Sequence, residues 1–202
     1  DETQIHVDNT YRQQEMYFST SNVYEILSKW SVSMSYDFKW NKLNANMVDF
    51  AFPHRYSNFV SLATALTLSR IQAQASLVEQ VVKDHVKYGA SSSSRSTLTP
   101  AFFVNVYPFE SKLLAVKAFA KKSFRMPTFN DLYYADMGNS KLNPESALQY
   151  DLGFVLNKDW KQGIVDHFRL QVDGYYNTVY DKIVAYPKGQ QFRWTMLNLG
   201  KV

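Results

Sequence analysis

The chain has 202 residues, enough for one domain with a sizeable interior, and its 46% hydrophobic and 20% charged content excludes wholesale disorder. A formal charge of +4, with Lys and Arg scattered apart from Lys121, Lys122 and Arg125, excludes the concentrated basic patch of a nucleic-acid binder. Cysteine is absent, which removes disulfides and thiolate metal sites, and no apolar run approaches the roughly 18 residues of a membrane helix.

In chain order, the first clear element is 24 to 40. Tyr24, Ile26, Trp30, Val32, Met34, Tyr36, Phe38 and Trp40 share one parity, broken by Ser28. Glu25, Lys29, Ser31, Ser33, Ser35, Asp37 and Lys39 share the other, broken by Leu27. A period of two over this length predicts one long strand with an apolar and a polar face. Weaker alternation follows at 60 to 68. Segment 62 to 86 is rich in good helix formers, and a helical stripe is the competing reading; we read it as strands joined near Arg70. Further strands are predicted at 98 to 106, 113 to 122, 148 to 156 and 168 to 180, about eight in all.

The connections alternate in length. Long ones are expected at 41–57, 87–97, 123–145 and 181–193, and short ones at 69–71, 109–112 and 158–164. Short turns on one side and long loops on the other are the habit of outer-membrane barrels. Strand 24 to 40 then runs outward and 58 to 69 returns, and Ser91 to Ser96 is expected in a mobile outer loop. Alternation alone leaves a lipocalin-like soluble barrel open, with the apolar face inside. Strand length and the aromatics near strand ends (Tyr36, Phe38, Trp40, Tyr176, Tyr180) favour the inverted arrangement. Trp30, Val32, Met34, Phe154, Leu156, Leu170 and Val172 are then expected to face lipid.

Catalytic signatures are missing. His6, His54, His85 and His167 are isolated, no Gly-x-Ser-x-Gly occurs, and Gly-rich phosphate loops are absent. Asp151 and Asp173 fall on polar strand faces. Neither an enzyme nor a bound metal or cofactor is expected.

The strongest local signal is the stretch from Ser123 to Tyr134, Ser-Phe-Arg-Met-Pro-Thr-Phe-Asn-Asp-Leu-Tyr-Tyr. It is followed by Gly138-Asn139-Ser140-Lys141-Leu142-Asn143-Pro144-Glu145 and Gln149-Tyr150-Asp151-Leu152-Gly153. Gly174 to Ile183 continues in the same style. These residues closely resemble the barrel of TonB-dependent outer-membrane receptors, specifically over 112 to 185. There, two such boxes flank an extracellular loop and the next strand begins just after the Glu.

The resemblance implies an all-β fold, an antiparallel transmembrane β-barrel meander that is a fragment of a barrel of about 22 strands. The plug domain and C-terminal strands are read as lying outside this sequence. A small barrel of about eight strands is the alternative, either structural in the outer membrane or a soluble ligand-binding module. The implied function is energy-dependent uptake of a bulky scarce nutrient: an iron–siderophore or a corrinoid such as vitamin B12. Haem ranks lower, because haem receptors of this family carry a His between the boxes and 128 to 138 has none. Implied partners are a TonB-type inner-membrane protein acting through the plug, outer-membrane lipid and a surface lipoprotein, with no nucleic acid.

Among the residues themselves, Pro127 fixes its own φ and disfavours helix at Met126, while Asn139, Asn143 and Pro144 suit corners, so the loop is expected to be shaped. Candidate ligand contacts are Tyr133, Tyr134 and Met137, with Phe52, His54 and Arg55 in the first long loop. Arg125 has two readings: a fork for a ligand carboxylate, or an ion pair with Glu145 that fixes the loop base.

Overall fold

The computed structural model of the chain describes residues 8–134, 137–160, 166–189 and 193–202. Its strands are β1 (Tyr11–Leu27), β2 (Trp30–Ala45), β3 (His54–Thr67), β4 (Ile71–His85), β5 (Arg95–Val106), β6 (Leu114–Arg125), β7 (Glu145–Asp159), β8 (His167–Lys188) and β9 (Arg193–Lys201). They form one antiparallel sheet in sequence order from β1 to β9. A short helix, α1 (Phe129–Tyr133), sits between β6 and β7.

Segment 62 to 86 is two strands turning at 68–70, as expected. The element at 24 to 40 is not one strand. The chain reverses at Ser28–Lys29, and β1 pairs with β2 along its whole length, Tyr24 opposite Val32 and Phe18 opposite Phe38. An irregularity between Glu25 and Leu27 shifts the register so that even-numbered residues share a face on both sides of the turn. Alternation therefore keeps the same parity on both sides of the reversal, and the two breaks at Leu27 and Ser28 mark it.

The loops are tighter than expected. β2 extends to Ala45 and β8 to Lys188, so the predicted long connection over 181–193 is mostly strand. Asp181 has a positive φ (53°), and the β8–β9 register is the same on both sides of it, from Tyr180 opposite Lys201 to Lys182 opposite Leu199. Residues 161–165, which overlap the predicted turn at 158–164, and residues 190–192 lie outside the described residues, as does His6.

Pairing puts opposite residues on one face, so the register sorts every strand. One face carries Met34 opposite Leu62, Phe154 opposite Val172 and Leu156 opposite Leu170. These side chains stay exposed, Met34 at 55% and Val172 at 57%. The opposite face is small and polar, with Ser33 opposite Ala63 and Ser35 opposite Ser61. A soluble barrel would hide the apolar face. Here the buried cluster of Leu43, Phe50, Phe129, Leu132, Tyr133, Leu142 and Ile183 lies against the polar side instead. It occupies one end of the sheet, beneath the connections 46–53, 86–94 and 126–144 (the loop end). The turns at 28–29, 68–70 and 107–113 define the opposite, turn end.

Candidate functional site

The loop-end layer is organised by α1. Thr128 caps it: its side chain accepts from the Asp131 N–H at 3.2 Å, while the Thr128 N–H donates to Asp131 at 2.8 Å. This reciprocal box satisfies two donors that a helix start would otherwise leave open. The sequence signal was Thr-x-x-Asp before an apolar pair, and the reading of a merely cornered loop missed it. Gly138 lets the chain come back over the helix. A Cβ there would meet the Leu132 carbonyl and the Tyr134 nitrogen at 2.7 Å.

Beneath the helix is a buried polar knot. Arg55, the second residue of β3, faces Asp84 of β4 directly across the ladder. Its Nε and Nη2 donate to the two Asp84 oxygens at 2.7 and 2.8 Å, and its Nη1 donates to the Pro127 carbonyl at 2.7 Å. The guanidinium also lies 5.0 Å from the centre of the Phe129 ring. Tyr133 donates its hydroxyl hydrogen to Asp84 at 3.0 Å and accepts from the Ser92 N–H at 2.9 Å. Burial, reinforced by the neighbouring Asp84 carboxylate, pushes the Tyr133 hydroxyl well above the ordinary tyrosine range, so it stays protonated. Ser92 is itself buried, and Arg95 and Ser96 already belong to β5, so the serine run is pinned rather than mobile.

Arg125 bridges Asp131 at 3.2 Å and Glu145 at 3.3 Å, while Glu145 also accepts from the Ile183 N–H at 3.1 Å. It thereby ties the helix cap to the start of β7 and to β8. On the other flank, Asn139 donates to the Met196 carbonyl, and Asn143 and Asn198 exchange hydrogen bonds. The 126–144 loop is thus fastened to strands on both sides of the sheet.

The sequence-predicted site residues do not form one cluster. Tyr133, Arg55 and Arg125 belong to the fastenings. Tyr134 is 40% exposed and stacks on Tyr11 at 5.2 Å, on the polar side. Met137 is half-buried, and its carbonyl accepts from the Met196 N–H. Phe52 holds a φ of 44°, uncommon for a bulky residue, packed edge-on against Phe50 at 5.3 Å. His54 pairs with Lys42 and His85, and its side chain shares the outward face with Tyr56. Asp84, Ser92 and Asp131 were missed, because each matters through a partner distant in sequence or a cap.

A family model described as "TonB dependent receptor-like, beta-barrel" matches residues 8–202. The chain belongs to that family. One relative, the vitamin B12 transporter BtuB of Vibrio vulnificus (strain YJ016), is 30% identical over 76 residues, covering 38% of this chain and 11% of that protein. Among solved structures, the copper transporter OprC superposes with a TM-score of 0.74 at 14% identity, over 95% of this chain and 33% of its own. A double mutant of the Serratia marcescens hemophore receptor HasR, in complex with its hemophore HasA and heme, gives 0.70 at 12% identity, over 96% and 38%. The chain therefore spans only part of the length of these proteins. At such identities the solved structures establish the fold alone. The meander is a TonB-dependent receptor barrel segment, consistent with a barrel of about 22 strands. The family is one of receptors and transporters, not enzymes.

Proposed function

We propose that this chain is part of the wall and mouth of an outer-membrane receptor that imports a bulky, scarce nutrient, with energy from a TonB-type inner-membrane protein acting through a plug domain. The observation that carries the reading is the loop layer. In a family of receptors, a folded loop is fastened by a buried ion pair over the polar face of a sheet whose other face suits lipid. Loops held on a rigid wall are where binding residues are expected.

Within that layer, Tyr134 is the leading ligand contact, because an exposed aromatic offers large contact area at low entropy cost, and the half-buried Met137 and Phe52 are further contacts. Tyr133, Arg55 and Arg125 hold the layer in shape. A corrinoid is favoured by the similarity to a vitamin B12 transporter, and an iron–siderophore stands beside it. Haem ranks below both, since 128 to 138 holds no His. A surface lipoprotein is a fitting partner for the loop end. The test is uptake of labelled cyanocobalamin and of a labelled ferric siderophore by cells expressing the full-length protein, with and without TonB. Deleting 128–138 should abolish ligand binding while heat-modifiable migration of the barrel persists. Normal import by the deleted protein would assign these residues to wall geometry alone.

A further inference from the structure

We propose that the wall is hinged between β5 and β6 at the loop end, and that the 126–144 loop is the strap that holds this hinge shut. Its use, a mouth that can widen, rests on the receptor reading above; the hinge itself does not. β5 pairs with β6 only from Ala101 opposite Lys121 to Val106 opposite Val116. Beyond that last rung both strands continue. β5 runs on to Arg95 with β4 beside it, Arg95 opposite Val82, and β6 runs on to Arg125 with β7 beside it, Arg125 opposite Glu145. Among the described residues, 95–100 and 122–125 therefore pair on their far sides and not with each other. Pro100 stands at the break, the first residue of β5 past the last rung. A proline has no N–H to give a ladder, and so is rare inside a sheet. The β4 ladder passes through it, opposite Leu77, so the rung that its missing donor removes is the one toward β6. The break also lies where it can be tolerated. An open strand edge within hydrocarbon would leave backbone groups without partners, whereas water satisfies them above it. At the break the outward face turns polar, with Lys122 opposite Leu148 and Glu79 opposite Leu98.

The strap is the connection that leaves β6. It crosses the break and is tied down on the β3–β5 side by buried bonds. Arg55 donates to the Pro127 carbonyl at 2.7 Å, and the Tyr133 hydroxyl joins Asp84 at 3.0 Å and the Ser92 N–H at 2.9 Å. The far end of the strap stays with the other half of the sheet, Asn139 bonding to Met196 and Asn143 to Asn198 of β9. At the rim, Arg95 Nη2 donates to Asn143 at 3.0 Å, while the buried Arg95 Nε has no partner among the described residues. Side-chain bonds thus take the place of ladder rungs between the two halves of the loop end. Bonds of that kind can be released without melting a strand, which is what a hinge requires.

The experiment is hydrogen–deuterium exchange on the full-length protein in neutral detergent, read by mass spectrometry at single amides. Leu98 and Phe124 keep the alternation of Pro100, so their amides face the seam. Val60 and Glu79, on the same cross-strand row as Leu98, are opposed in the unbroken β3–β4 ladder and serve as the paired control. In the wild type the seam amides should exchange about 100-fold faster than the control amides. Tyr133→Phe removes both hydroxyl bonds and keeps the ring; it should speed Leu98 and Phe124 by about tenfold and leave Val60 and Glu79 unchanged. Pro100→Val restores the donor and should slow the seam amides by about tenfold. Seam amides as slow as the control amides in the wild type overturn the hinge. Wild-type rates in Tyr133→Phe overturn the strap, and wild-type rates in Pro100→Val overturn the proline as the origin of the break. No nutrient enters the measurement, so a failed uptake assay sinks the receptor reading and leaves the hinge standing, and a failed exchange experiment does the reverse.

Discussion

The two ends of this sheet are held by different means. At the turn end the chain reverses quickly at Ser28–Lys29 and again at 68–70. Neighbouring turns there are joined by backbone hydrogen bonds, the Thr67 N–H donating to Lys29 and the Tyr107 N–H to Arg70, with the Arg70 side chain reaching the Pro108 carbonyl at 3.5 Å. At the loop end, Leu132 and Leu142 are each 2% exposed, and the Arg55–Asp84 pair is sealed beneath α1. A sheet with lipid on one face needs little packed core in its middle, because the bilayer covers the apolar side chains. Where the wall rises past the bilayer that cover is gone. The loops must then bury their own apolar residues, and they do so on the inner side. The buried cluster of this chain therefore serves the mouth rather than the wall.

The loop end is most vulnerable at Asp84. Asp84→Ala leaves the Arg55 guanidinium buried with only the Pro127 carbonyl and the Phe129 ring, and removing one partner of a buried pair costs about 3–5 kcal/mol. The expected outcome is a loop layer cut by protease within 126–144 while the barrel keeps its heat-modifiable migration. If the barrel itself fails to form, the two ends are not independent.

The turn-end wall is probed by Val32→Arg against Ser33→Arg. Val32 faces outward opposite Tyr24 and Thr64, and Ser33 faces inward opposite Val23 and Ala63. A cation on the lipid face costs about 2–4 kcal/mol at mid-bilayer and less toward the interface, so at Val32, the third residue of β2, it costs part of that, while one on the inner face costs far less. Insertion into vesicles, followed by migration on gels, should therefore be impaired for Val32→Arg and unaffected for Ser33→Arg. Equal tolerance at the two positions sinks the membrane-wall reading.

The sequence disclosed the wall better than the mouth. Alternation is a local property, so β5, β6, β7 and the turn at 68–70 were legible from neighbours a few residues apart. The hairpin at Ser28–Lys29 was not, since Tyr24 and Val32 keep the same parity on either side of it. The loop-end extension of β8 was hidden for another reason. Beyond the bilayer neither face must be apolar, and Asp181, Lys182, Pro187 and Gly189 look like loop residues although all but the last are strand. In the mouth, the Glu145 partner of Arg125 was legible from the paired motifs. Arg55 with Asp84, and Tyr133 with Ser92, were not, because those partners meet only through the ladder and the folded loop.

Within the loop end, position does not by itself decide the effect of a substitution, as Arg125 shows. Its guanidinium touches two carboxylates, as Arg55 touches one, yet its side chain is 49% exposed against 11% for Arg55. Water therefore screens its two ion pairs, and exposed pairs contribute about 0–1 kcal/mol. Its partners are also not left stranded when it goes. Asp131 keeps the Thr128 N–H and Glu145 keeps the Ile183 N–H. Arg125→Ala should accordingly leave the loop as resistant to protease as the wild type, or nearly so, and should lower ligand binding only slightly. A loss of binding as deep as that of the 128–138 deletion, with protease resistance intact, would mean that the guanidinium fork contacts the ligand itself. Arg125 would then move from the fastenings to the contact surface beside Tyr134.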